Sequence, residues 1–178
     1  MRWVRGTGGL VAAVAMVVML AGTAVADVPV GSARYVPCPP PTGDASRYVG
    51  AAAPFRCHSA VADPLGNTVV LRQGRSDAGP SAFGMLHALV DHNVEDHVIE
   101  RVVSTAFPLT APRGRVRYIA EFRVEGQGTM SVWVEADPRP SNQAPDDQRF
   151  GVVTAYCKVP LSANPENKCP DWVNDTLP

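Results

Sequence analysis

Lysine is nearly missing from this chain of 178 residues: of its 16 basic side chains only Lys158 and Lys168 are lysines, and the rest are arginines. For holding a phosphate or a carboxylate the chain therefore has planar guanidinium groups, which bind such anions through two hydrogen bonds at once. Long hydrophobic runs are also missing. The apolar stretch from Leu10 to Leu20 falls well short of the roughly 20 residues that cross a bilayer, so no membrane span is expected. There is no Gly-x-Ser-x-Gly elbow for a serine hydrolase of that design and no P-loop for a nucleotide. Gly126-x-Gly128 lacks the strand and helix that a dinucleotide loop requires. No two cysteines stand in C-x2-C spacing and no His-Glu-x-x-His occurs, so neither a structural nor a catalytic zinc site is expected, and no cofactor either.

What is present begins with export. Arg2 and Arg5, the apolar run, and small residues ending in Ala24-Val25-Ala26 have the pattern of a cleavable secretory signal over residues 1–26. The mature chain would start near Asp27, be secreted, and form one domain with room for a core. The signal carries two arginines and no acid, which leaves 14 basic against 17 acidic side chains. A mature chain of net negative charge has no broad basic surface for nucleic acid, though a local basic cleft is still allowed. In an exported protein Cys38, Cys57, Cys157 and Cys169 read as two disulfides. Three pairings are open, and Cys38 to Cys57 with Cys157 to Cys169 is the most economical because each closes a proline-rich loop.

All 17 prolines lie beyond residue 28. Proline removes a backbone donor, so proline-free windows mark where regular structure belongs. Residues 27–64 hold seven of the 17 and are expected to be irregular, pinned by the Cys38 to Cys57 bridge, with residues 65–178 forming the folded domain. After the turn signal from Asp63 to Asn67, Thr68 to Leu71 reads as a short strand. Two helices follow. Phe83, Leu86, Leu89 and Val90 share one apolar face; Val94, Val98, Ile99, Val102 and Val103 share the other, with Asn93 as the N-cap between them.

Residues 115–124 alternate, Val116, Tyr118, Ala120, Phe122 and Val124 against Arg115, Arg117, Ile119, Glu121 and Arg123. A Gly126-Gln127-Gly128 turn leads to a return strand that places Met130, Val132, Val134 and Ala136 opposite Thr129, Ser131, Trp133 and Glu135. Phe150 to Lys158 is apolar on both faces apart from Thr154 and Tyr156, as a central strand would be. Trp172 and Val173 are expected to pack the tail. The fold class is α+β, an N-terminal helix pair laid on one face of a small antiparallel sheet and stabilised by disulfides. The other face then carries Arg115, Arg117, Glu121, Ser131, Trp133 and Glu135. Such a set can hold phosphate, move a proton and stack a base; it is also the ordinary content of a solvated sheet face with cross-strand ion pairs.

Three of the four histidines fall between residues 87 and 97. His87 and Asp91 are four apart and share a helix face, so the carboxylate can orient the imidazole. His87, His92 and His97 are five apart, which rotates each away from the last and argues against a metal. His97 reads as a solvent-facing residue of the second helix.

Taken in order, Ala82-Phe83-Gly84-Met85-Leu86-His87, Asp91-His92-Asn93-Val94, the arginine-bearing strand, and Gly151-Val152-Val153-Thr154-Ala155-Tyr156 resemble the C-terminal nuclease domains of bacterial polymorphic toxins, the assemblage named for barnase, EndoU, colicin tRNases and RelE. The resemblance covers about residues 79–157. It implies helices followed by a small antiparallel sheet, with His87 as general acid or base and His92 as the competing choice. It further implies that Arg117 and Arg115 stabilise the transition state and that Thr154 and Tyr156 line the cleft. The implied reaction is metal-independent cleavage of RNA through attack of a ribose 2′-hydroxyl on its neighbouring phosphate. Trp133 is a candidate for stacking a base. The alternative function is a non-catalytic exported binding protein or inhibitor, with a protein target as partner and residues 38–57 as a disulfide-framed loop.

Overall fold

The structure is a computed structural model that describes residues 32–42, 48–77, 79–146, 148–158 and 167–176. The signal segment lies outside the described residues. The fold is α+β, with two small antiparallel sheets and two disulfides. A hairpin of β1 (Cys57–Ala62) and β2 (Thr68–Arg72) comes first. Helices α1 (Gly84–His92) and α2 (Asp96–Thr105) follow. The second sheet takes the order β3 (Leu109–Ala111), β4 (Arg115–Val124), β5 (Gly128–Pro140) and β6 (Arg149–Lys158), and a short α3 (Asp171–Asp175) follows it.

Three expectations give way. The helix pair is not N-terminal, because β1 and β2 precede it, and β1 lies inside the stretch expected to be irregular. His58 and Ser59 make β1 look unlike a strand, but both side chains find partners on α2: His58 Nε2 lies 2.7 Å from Asp96 Oδ2, and the Ser59 hydroxyl donates to Glu100. The proline-rich stretch before β1 is extended along it, with Val36 N donating to Ala60 O and Ala62 N to Arg34 O. Nor is β6 a central strand. Among the described strands it pairs with β5 alone and forms one edge of the four-stranded sheet.

The register of β4 on β5, Tyr118 opposite Val134 and Phe122 opposite Met130, puts the two alternations in phase. Tyr118, Ala120, Phe122, Val132, Val134 and Ala136 are buried together with Val98, Ile99, Val102 and Val103 of α2 and with Val69 and Leu71 of the hairpin. Helix α2 is thus the cover of the apolar face. Helix α1 instead runs along β6 and β2, and its buried residues are the small Gly84 and Ala88, while Leu89 and Val90 are exposed. A Cβ on Gly84 would stand 2.8 Å from Arg72 O, and φ there is +77°, so only glycine lets α1 begin this close to β2. Asn93 ends α1 in the left-handed region rather than capping α2, whose N-cap position is Glu95.

Both disulfides take the economical pairing, Cys38–Cys57 with Cα atoms 6.0 Å apart and Cys157–Cys169 with 5.0 Å. The second ties the tail to β6. There Cys169 N donates to His92 O, Asn93 Nδ2 donates to Cys169 O and Asp171 Oδ1, and Val173 is fully buried. Bridge, tail and the end of α1 are therefore one assembly.

Candidate functional site

Because α1 flanks the β6 edge, its histidines stand beside the open face of the sheet and not over its buried one. His87 and His92 have ring centroids 5.0 Å apart and nearly perpendicular planes. His87 Nδ1 is 2.5 Å from Asp91 Oδ2, the i, i+4 contact that the helix spacing calls for. His92 in turn lies 5.9 Å from the Tyr156 ring on β6.

Tyr156 reaches the open face through a bulge. Glu135 pairs with Thr154 but Ala136 with Val152, so Val153 is the extra residue. The bulge resets the alternation: Val152, Ala155 and Cys157 are buried, and Thr154 and Tyr156 share the face of Glu135. This explains why β6 looked apolar on both sides. Gly151, next to the bulge, has φ of +87°, and a Cβ there would sit 2.0 Å from Val70 O, so the β6 backbone packs directly on β2.

Glu135 is the centre of the face. Its Oε1 accepts from Arg117 Nη2 at 2.6 Å and from the Tyr156 hydroxyl at 3.2 Å, and Arg115 Nη1 lies 3.5 Å from Oε2. Burial acts to raise the Glu135 pKa, but the Arg117 hydrogen bond and charge, with Tyr156 and Arg115, outweigh it and hold the carboxyl below its usual 4.5. Tyr156 moves the other way, to about 12, through burial first and the Glu135 charge second, with Arg117 opposing. At neutral pH Glu135 is thus an anion and Tyr156 a donor. Two donors of the same face, Arg115 Nε and Thr154 Oγ1, are buried without a hydrogen-bond partner among the described residues.

One line of neighbours thus runs from His87 through His92, Tyr156 and Glu135 to Arg117 and Arg115, with Thr154 paired across from Glu135. His97 is elsewhere, with its Nε2 2.9 Å from Asn174 O. Trp133 is already engaged: Arg117 stands 4.5 Å and Lys158 4.4 Å from its ring centroid, so a base stacking there competes with cations. Sequence reasoning placed Glu135 on this face without ranking it above Glu121. The signal was its flanking by two arginines on the paired strand, which becomes visible only once the register is known. No group of three or more His, Cys, Asp or Glu side chains converges as metal ligands would among the described residues.

Comparison with family models, with curated proteins and with solved structures finds no match. The reading of this site therefore rests on its own chemistry.

Proposed function

We propose that this face is the active site of a secreted ribonuclease that cleaves RNA without a metal. The observation that carries the reading is the chain of contacts from two imidazoles through a tyrosine to one carboxylate and its two guanidinium groups, with a threonine on the same face, from α1, β4, β5 and β6. The two disulfides suit an oxidising, extracellular setting.

Transphosphorylation needs three things: a base for the 2′-hydroxyl proton, an acid for the leaving 5′-oxygen, and donors for the charge that develops on the phosphate. The histidine pair supplies the proton transfers. One neutral imidazole takes the 2′-hydroxyl proton as that oxygen attacks phosphorus. The other, protonated, gives its proton to the 5′-oxygen as the P–O bond breaks, leaving a 2′,3′-cyclic phosphate and a 5′-hydroxyl. Arg117 and Arg115, with Thr154 beside them, would donate to the non-bridging oxygens, and Arg115 Nε and Thr154 Oγ1 have no other hydrogen-bond partner among the described residues. Glu135, held ionised, positions both arginines and Tyr156. Asp91 orients His87.

The test is cleavage of RNA in excess EDTA by the purified protein, beside His87→Ala, His92→Ala and Arg117→Ala. Loss of about a hundredfold or more in each variant, with cyclic phosphate ends on the products, supports the reading. An inactive wild-type protein, or variants that cut as well as it does, overturns it and leaves the exported binding protein as the function to pursue.

A further inference from the structure

The open face continues one step past Arg117 and Glu135. Arg115 and Asp137 are the next outward-facing residues on β4 and β5, and Asp137 pairs with Gly151 of β6. Here the face runs into a cavity of about 260 Å³. Its apolar side is the edge of a cluster of three phenylalanines from three parts of the chain, the buried Phe55 before β1 and Phe83 before α1 and the half-buried Phe150 in β6. Phe83 lies 4.9 Å from Phe55 and 4.8 Å from Phe150 between ring centroids, and Phe150 meets Phe55 edge-on. The rim is polar. Arg75 stacks 5.7 Å from the Phe83 centroid while its Nε donates to Ser81 O, and Gln143 is exposed at the opening. Arg115 belongs to both places, lining the cavity and pairing with Glu135.

Resting on the ribonuclease reading, we infer that this cavity is a base-recognition subsite that takes a single unpaired nucleobase next to the scissile phosphate. It is smaller than the roughly 300 to 1,000 Å³ of pockets for drug-sized ligands and suits one flat heterocycle. Aromatic rings and a stacked guanidinium are the surfaces that proteins use to hold splayed-out bases. Gln143 offers a donor and an acceptor to a base edge, and Asp137, ionised and tied to Arg139, offers acceptors only. Arg115 and Arg117 are two residue steps apart on β4, a rise of about 7 Å, the scale on which a base stands off from its own phosphate. Arg115 between base and phosphate makes the two sites parts of one nucleotide-binding surface. It also gives the base a location that does not require displacing cations from Trp133.

Two measurements test this. In the first, the four nucleoside 3′-monophosphates and ribose 5-phosphate, a base-free control, are titrated into the His87→Ala protein and followed by amide and side-chain NMR shifts. At least one nucleotide should shift Phe150 and Gln143 signals, and ribose 5-phosphate should leave them unmoved. In the second, cut sites in a random-sequence RNA are sequenced for wild type, Gln143→Ala and Phe150→Leu, the last keeping an apolar side chain where a ring was. Wild type should show a base preference beside the cut, and the variants should flatten it and raise KM about tenfold, more than they lower kcat. Nucleotides that fail to move Phe150 and Gln143, or a base preference unchanged in both variants, overturn the subsite. A protein that cuts RNA without base preference keeps the ribonuclease reading and loses the subsite. One that binds a base at Phe150 but never cuts overturns the ribonuclease reading and, with it, the placing of this base site beside a scissile phosphate.

Discussion

Tyr156 donates its hydroxyl to Glu135 Oε1 across 3.2 Å, the same oxygen that accepts from Arg117. The hydroxyl therefore links the histidine side of the site to the arginine side. With its pKa raised to about 12 it keeps its proton throughout the working range. Tyr156→Phe should leave the fold intact, raise the Glu135 pKa because one stabilising donor is gone, and slow cleavage about tenfold. A carboxyl-carbon NMR titration and single-turnover kinetics measure the two effects. A Glu135 titration unchanged in the variant would mean that the hydroxyl does not act on the carboxylate.

Acid should destabilise the protein in a predictable window. Burial alone would raise the pKa of Glu135 and of Asp146, but hydrogen bonds from Arg117 and from Arg72 outweigh it and leave both lowered from 4.5 and 3.8. A carboxyl with a depressed folded pKa contributes stability that is fully present above its unfolded value and is lost as pH falls through the folded value. The urea midpoint should therefore hold steady from neutral pH down to about pH 5 and then decline. Glu135→Gln should show a shallower decline, since one of the linked protons is removed.

Arg72 and Asp146 form a fully buried pair 2.9 Å apart, with Arg72 also donating to the carbonyls of Phe55, Arg149 and Phe150. This one guanidinium holds β2, the turn before β1 and the start of β6 together, and with them two of the three phenylalanines of the cavity. Asp146→Ala leaves a buried charge without its partner and should cost about 3–5 kcal/mol in urea unfolding. Arg72→Met combined with Asp146→Leu removes the unpaired charge but leaves the carbonyls of Phe55, Arg149 and Phe150 without their donor, so it should recover only part of that loss.

Where the sequence was readable, a strong local period coincided with the tertiary environment. The alternation of β4 and β5 and the valine face of α2 needed no distant partner to be recognised, and the cysteine pairs closed short loops. It was less readable where a residue's role depended on something far along the chain. β1 contains His58 and Ser59, whose partners Asp96 and Glu100 lie about 40 residues away. The helix α1 buries Gly84 and Ala88 because β2 and β6 approach closely, so its larger apolar residues face outward, against the usual rule. Asn93 resembled an N-cap because asparagine favours both that role and the left-handed helix end, and the position of Cys169 and Asp171 decides between them. The residues of the candidate site were nameable one by one. Glu135 as the common partner of Arg115, Arg117 and Tyr156 was not, since that depends on strand register.

The Cys157–Cys169 bridge holds the tail whose Cys169 N bonds His92 O, so it should matter to the site as well as to stability. Replacing both cysteines with alanine removes a closed loop with a sequence separation of 12 residues, and should cost about 3 kcal/mol in the chain-entropy model. Cleavage should fall further than that of a variant at Cys38 and Cys57, whose bridge joins the start of β1. Melting curves compared with initial rates well below the melting temperature separate the two effects. Equal rate losses in the two double variants would show that the second bridge does not position His92.

The bulge at Val153 makes an unusual prediction about deletions. Val152 faces the core and Thr154 the open side, so removing Val153 leaves neighbours that already alternate, and every later residue of β6 keeps its face. Removing Ala155 instead places Tyr156 directly after Thr154, which turns Tyr156 inward and Cys157 out toward the open face, away from Cys169. The protein lacking Val153 should fold with both disulfides formed, at a cost of about 1–3 kcal/mol for the altered strand path. The protein lacking Ala155 should expose free thiols and melt without a cooperative transition. Thiol titration under denaturing conditions and calorimetry on the two deletions decide the matter. If both behave alike, the bulge is not what sets the faces of Thr154 and Tyr156.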